Sequence, residues 1–249
     1  MTVAEDHSTD ASTEGTGMAP ADNEQSAYPP IRSFGTRRGH MTTGQRAAYE
    51  ALQPVYCLPY APGVPDWAAV FGNSHPLVME IGCGMGETTA AIAAANPDTN
   101  YLALEVYPAG VGALMVRLRD ANLSNVRIIG HDAVEVLQHM IAPASLAGVH
   151  LFFPDPWHKK RHNKRRLIKP PLVALIAERL AAGGILHCAT DWVPYAEQML
   201  EVLSAEPALQ NRATGYHERP PWRPLTKFER RGIRLGHEVR DLIFERRAR

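Results

Sequence analysis

From residue 77 onward, short apolar runs alternate with stretches in which apolar positions recur at helical spacing. LVMEIG (77–82), YLALEV (101–106), VRIIG (126–130), VHLFFP (149–154) and GILHCAT (184–190) are near-continuous apolar segments of strand length. Such runs predict strands buried on both faces, because a solvated face would demand alternation. Helical patterns occupy 87–95, 108–121, 133–140 and 171–182, with a further one at 193–203. Strands separated by helices predict βα repeats, and hence an α/β domain built on a doubly wound, mainly parallel sheet. HEVRDLIFER (237–246) ends in apolar and polar alternation, the pattern of an edge strand. Residues 32–52 begin as a basic loop and become helical after Gly44, a segment suited to closing over a site or lying against a partner.

Composition bounds this picture. The 249 residues are 45% hydrophobic, enough for a substantial core. The longest apolar runs, near 90–95 and 172–177, fall far short of the roughly 20 residues that span a bilayer, so no membrane association is expected. The N-terminus lacks the basic start and apolar core of a secretory signal. Cys57, Cys83 and Cys188 are odd in number and widely spaced, which fits neither a disulfide framework nor a metal knuckle and points to the cytoplasm.

The formal net charge of zero averages two unlike segments. Residues 1–31 hold six acids and no Lys or Arg; setting those six aside leaves 20 acids against 26 bases in the remainder. The same segment is rich in Ser, Thr, Ala and Pro, so it cannot offset the entropy of ordering and is expected to be a disordered acidic tail. The folded part, 32–249, is then a basic single domain with 32–75 as its N-terminal extension.

The first strand runs into MEIGCGMGETT (79–89). Gly82, Gly84 and Gly86 allow a tight turn and close backbone approach to a ligand, and Thr88 and Thr89 fall in the first helical turn. The spacing is Gly-x-Gly-x-Gly, not the Gly-x-Gly-x-x-Gly of dinucleotide sites, and no Lys-Ser/Thr ending marks a triphosphate loop. Glu80, two residues before the first glycine, would repel a pyrophosphate and suit a cationic ligand. Glu105, at the end of the second strand, is placed to accept two ribose hydroxyls, and Asp132, after the third, an adenine amine. Taken singly, each acid has an ordinary alternative: Glu80 pairing with a base, Asp132 capping the next helix. Together they resemble the class I S-adenosylmethionine-dependent methyltransferases. That resemblance implies a Rossmann-like fold and S-adenosylmethionine as cofactor, with S-adenosylhomocysteine as product. Glu80 and the backbone of Gly82, Gly84 and Gly86 would then meet the methionine part.

FFPDPWHKKRHNKRR (152–166) follows the fourth strand. Prolines on both sides of Asp155 restrict its backbone and hold it at a rim. Trp157 offers a face for base stacking, or else packs under the loop. Lys159, Lys160, Arg161, Lys164, Arg165, Arg166 and Lys169 form an acid-free run, costly without an anionic partner such as a nucleic-acid backbone. His158 and His162 have zinc-like spacing but no third ligand nearby, and no metal is expected.

The two features together, with RRGHMTTGQ (37–45), TDW (190–192) and TKFERRG (226–232), resemble the bacterial tRNA (guanine-N7)-methyltransferases over nearly all of 32–249. The resemblance implies methylation of the variable-loop guanine conventionally numbered 46. It makes Asp155 catalytic and Lys159 and Asp191 substrate contacts, with an RNA-contacting segment including Arg161, Lys164, Arg165 and Arg166. It further makes Thr226, Lys227, Phe228 and Glu229 a substrate-binding turn. Residues 1–31 match nothing in that pattern. The alternatives are a class I methyltransferase acting on a protein or small molecule, which has no use for the basic run, and a non-catalytic RNA-binding protein, which has no use for the four acids. A monomer is expected, with a homodimer as the alternative.

Overall fold

A computed structural model describes residues 43–248. The acidic tail expected at 1–31, the basic loop at 32–42 and most of the RRGHMTTGQ segment lie outside the described residues. The helix expected after Gly44 is α1, Thr43–Tyr56. A short α2 (Trp67–Phe71), capped by Asp66 and ended by Gly72 in the left-handed region, leads into the sheet.

The chain then alternates β1 (Leu77–Ile81), α3 (Glu87–Ala95), β2 (Asn100–Leu104), α4 (Pro108–Asp120), β3 (Val126–Ile129), α5 (Ala133–His139), β4 (Leu146–Phe152), α6 (Pro170–Arg179) and β5 (Leu180–Thr190). After α7 (Val193–Ser204) and β6 (Leu209–Asn211), α8 (Lys227–Arg234) precedes β7 (Arg240–Arg246). Among the described residues the strands form one seven-stranded sheet in the order β3-β2-β1-β4-β5-β7-β6. The first five strands are parallel, and β7 runs antiparallel to β5 and β6.

Both faces are covered, as continuous apolar strands require. Along β2, Tyr101 and Ala103 pack with Ile92 of α3 and Leu114 and Leu118 of α4, while Leu102 and Leu104 join Val136 of α5, Ile176 of α6 and Met199 of α7. Each such fully buried aliphatic side chain contributes about 1.5–3 kcal/mol. Pro170 and Pro194 occupy first-turn positions of α6 and α7, where a missing N–H costs nothing.

Two expectations need correction. The 237–246 strand is not at the edge: β6, only three residues long and without a readable period, pairs outside β7. The helix expected at 171–182 stops at Arg179, because β5 already pairs at Leu180 and then bulges, with Leu146 and Gly148 of β4 facing Leu180 and Ile185. Gly183, at φ 76°, makes that bulge.

Winding reverses between β1 and β4, whose carboxyl ends lie side by side; a doubly wound sheet opens its ligand crevice there. The glycine loop leaves β1, and the Asp155 loop leaves β4.

Candidate active site

Gly82, Gly84 and Gly86 all adopt positive φ, at 75°, 55° and 73°. A Cβ on Gly86 would lie 2.6 Å from the Leu114 side chain, so α4 itself enforces the glycine. Gly110, which the sequence reading passed over, is equally constrained: its Cβ would meet the Gly84 carbonyl at 2.4 Å and Glu105 Cγ at 3.1 Å. The first turn of α4 is thus pressed against the loop. Glu105 fastens the same contact, accepting from Gly84 N–H and Tyr107 N–H, both at 2.8 Å, one on each carboxylate oxygen. A carboxylate offers about four acceptor sites, so capacity remains for hydroxyl donors.

Glu80 is buried at the end of β1 and accepts from Thr89 Oγ1 at 2.6 Å. Burial pushes its carboxyl up to about 7, a rise that the Thr89 hydroxyl opposes and the charge of Glu105 reinforces. Met85 within the loop and Val106 next to Glu105 are apolar and exposed. Two carboxylates near adjacent strand ends, a loop in which three of five residues are glycine and an apolar rim fit a ligand with an ammonium or sulfonium, vicinal hydroxyls and a flat heterocycle. Asp132 caps α5 through Val134 N–H at 2.8 Å, which is the ordinary alternative weighed for it.

Asp155 is exposed at the crevice mouth. Its flanks are held: Phe153 donates its N–H to the Ala189 carbonyl at 2.7 Å, and Arg166 Nε donates to the Pro156 carbonyl at 2.9 Å. Phe153 and Trp157, neither a glycine, sit at φ 51° and 46°. Left-handed backbone at such residues costs about 1–3 kcal/mol each and concentrates where a loop is held for function. Trp157 lies under the guanidinium of Arg165, 4.9 Å from the ring centroid, so at least part of its role is packing.

Residues Lys160–Arg165 form a 3-10 helix. Lys159, Arg161, Lys164 and Arg165 are exposed along it. Desolvation and the neighbouring cations Arg161, Arg165, Lys159 and Lys164 hold the His162 imidazole below its usual pKa. Arg166, expected as an RNA contact, is the exception and faces inward. Only 5% exposed, it reaches Gln198 Oε1 at 2.6 Å and stacks over Tyr195, tying the Asp155 loop to α7.

Asp191 follows β5 and lies 3.5 Å from His237 Nδ1. Thr226 does not sit in a turn; it is the N-cap of α8, accepting from Glu229 N–H at 3.1 Å. The Thr-x-x-Glu spacing is a capping-box signature and was available in the sequence. The side chains of Lys227 and Phe228 lie outside the described residues. Glu229, expected as a substrate contact, is buried, with both oxygens on Arg223 at 2.7 and 2.8 Å.

Arg223 is the residue the sequence reading missed. It is 1% exposed and forks onto Glu229 and, at 2.7 and 2.9 Å, onto Asp241, which also contacts His187 Nε2 at 2.6 Å. Its guanidinium lies 5.9 and 5.6 Å from the rings of Phe152 and Phe153. One buried cation thus joins α8, β7 and the strand end that carries Asp155. No local pattern in WRPLT announces it. Among the described residues, no three His, Cys, Asp or Glu side chains gather as a metal site, and no helix is long and apolar enough to cross a membrane.

A family profile described as "Putative methyltransferase" matches residues 74–242. The tRNA (guanine-N(7)-)-methyltransferase of Burkholderia cenocepacia (strain HI2424) is 63% identical over 218 residues, 88% of this chain and 86% of that protein. The protein of the same name from Acidovorax sp. (strain JS42) is 62% identical over 232 residues, 93% and 91% of the two chains. Among solved structures, the 16S rRNA methyltransferase KamB matches with a TM-score of 0.53 at 16% identity, over 87% of this chain and 99% of that one. At that identity the likeness speaks for the fold alone.

Proposed function

The chain belongs to the tRNA (guanine-N(7)-)-methyltransferases, and from that premise we propose that its target is the variable-loop guanine at position 46. The enzyme transfers a methyl group from S-adenosylmethionine to N7 of a guanine in tRNA, leaving S-adenosylhomocysteine. What supports the residue assignment is one juxtaposition: Asp155, braced at the mouth of the crevice, opens directly into the basic 3-10 helix.

When bound, S-adenosylmethionine supplies an electrophilic methyl on a sulfonium. Glu80, Glu105 and Asp132, with the backbone of Gly82, Gly84 and Gly86, would hold it. Guanine N7 has an in-plane lone pair and no proton, so the residues around it need not remove one. Their task would be orientation, presenting N7 to the methyl that the cofactor supplies. Asp155 accepts hydrogen bonds from the base's N1 and N2 hydrogens and stabilises the positive charge that develops on the ring, with Asp191 assisting. Lys159 contacts the substrate; Arg161, Lys164 and Arg165 bind its backbone; Thr226 and the α8 N-terminus border the base. The proposed form is a cytoplasmic monomer.

The test is transfer of labelled methyl to unmodified tRNA, followed by nucleoside analysis. The expected product is 7-methylguanosine that disappears when guanine 46 is replaced; its persistence would move the target elsewhere in the tRNA. Asp155→Asn is expected to lower kcat about 100-fold at saturating tRNA and cofactor, the scale of losing one charge-stabilising group. Full turnover in that variant removes Asp155 from the chemistry.

A further inference from the structure

Helix α8 carries a charge pattern that the substrate role proposed for its N-terminus does not account for. Its one acid, Glu229, faces inward and is held by Arg223. The opposite side presents Arg230, Arg231 and Arg234, all exposed. At about 100° per residue these three positions fall within about 100° of the helix circumference, one continuous stripe. No described carboxylate forms an ion pair with any of them; Arg234 only approaches the carbonyl of Arg230, at 3.4 Å. Like charges on one face of an eight-residue helix repel one another, and the acid that would relieve them is buried.

The place of this stripe identifies its partner. A Cβ built on Gly232 would lie 3.8 Å from Asp191 Oδ2, so the inner side of α8 abuts the carboxylate that follows β5. The first basic element, Lys160–Arg165, follows the neighbouring strand β4 on the other side, where the His158 and Trp192 rings pack edge to face with centroids 4.4 Å apart. The two cationic surfaces therefore flank the same crevice mouth. Two fixed rows of charge either side of a site suit a polyanion with a regularly charged backbone.

We propose that the outer face of α8 is a second RNA backbone-binding surface, with Arg230, Arg231 and Arg234 contacting phosphates. The inference rests on the tRNA methylation stated above. The buried Arg223 fork mounts this surface on the sheet, so that its cations keep a fixed distance from Asp191.

The test compares the full-length chain with its Arg230→Gln/Arg231→Gln/Arg234→Gln variant, measuring binding of unmodified tRNA between 50 and 200 mM salt. Glutamine keeps helix propensity and removes charge. The expected variant binds on the order of tenfold more weakly, and its log affinity depends on log salt with a slope shallower by about 2–3. S-adenosylmethionine binding and thermal unfolding stay at wild-type values. The corresponding triple lysine variant retains the wild-type slope, since counterion release counts charge and not guanidinium geometry. A glutamine variant with the wild-type slope overturns the second surface while leaving tRNA methylation standing. A lysine variant that loses the slope as fully overturns a charge-based contact. A wild-type chain that forms no 7-methylguanosine overturns both this surface and the function it rests on.

Discussion

Arg223 holds two carboxylates and is itself 1% exposed, so removing it leaves Asp241 and Glu229 facing each other without a cation. Breaking a buried network in this way costs about 3–5 kcal/mol, whereas neutralising every member often costs little. Arg223→Met is therefore expected to lower the unfolding free energy by that amount, and adding Asp241→Asn and Glu229→Gln to recover most of it. Equal stabilities for the single and triple variants in urea titrations would contradict this account. Glu80 makes a second prediction at this scale. Its folded pKa is raised to about 7 by burial, while an unfolded glutamate titrates near ~4.3. Between those values the native state keeps a proton that the unfolded state has lost, so stability is fully present below the window and falls as pH rises through it. The loss is on the order of 4 kcal/mol. Unfolding measured across that window should show the decline in the wild type and a flatter profile in Glu80→Gln. A bound cation favours the ionised carboxylate, so cofactor affinity should rise with pH up to about 7.

Elements transmit these local demands. The glycine loop and the first turn of α4 are one mechanical unit, since Gly110 leaves no room for a Cβ beside the Gly84 carbonyl. Gly110→Ala should displace the loop and weaken S-adenosylmethionine binding at least tenfold, on the order of 1.4 kcal/mol, while circular dichroism of the sheet is retained. Undiminished cofactor binding would show that the loop tolerates the shift. The Asp155 loop divides its arginines in a similar way. Arg166 faces inward to α7, and Arg165 lies over Trp157 at the surface. Arg166→Met is expected to reduce kcat by releasing the loop, whereas Lys164→Ala/Arg165→Ala should raise the KM for tRNA with kcat nearly unchanged. Steady-state kinetics on both variants separate the two roles, and identical kinetic signatures would refute the division.

At the scale of the whole molecule, a net charge of zero conceals a basic domain and an acidic N-terminal stretch. A chain beginning at Arg32 loses six acids and no Lys or Arg, moving its formal charge from 0 to +6. Its tRNA affinity should rise at low salt and converge on that of the full chain at high salt, as screening shortens the reach of the charges; affinity unchanged at all salts would show that the stretch does not act through charge. The doubly wound sheet, the glycine loop, the acids at three strand ends and the basic run after Asp155 were all legible in the sequence. Each is written in near neighbours: apolar runs of strand length, glycine spacing, an acid close to the carboxyl end of a strand, consecutive like charges. Local chemistry dictates local backbone, and β1 through β5 needed little else. The fates of individual charges in those motifs were not legible. Arg166 and Arg165 are adjacent and chemically identical, yet one is buried and the other exposed. Arg223, Glu229, Asp241 and His187 meet across separations of up to 54 residues. Whether a cation faces solvent or joins a buried network depends on which distant groups packing brings within hydrogen-bond reach, and that is settled only when the strands and helices close on one another.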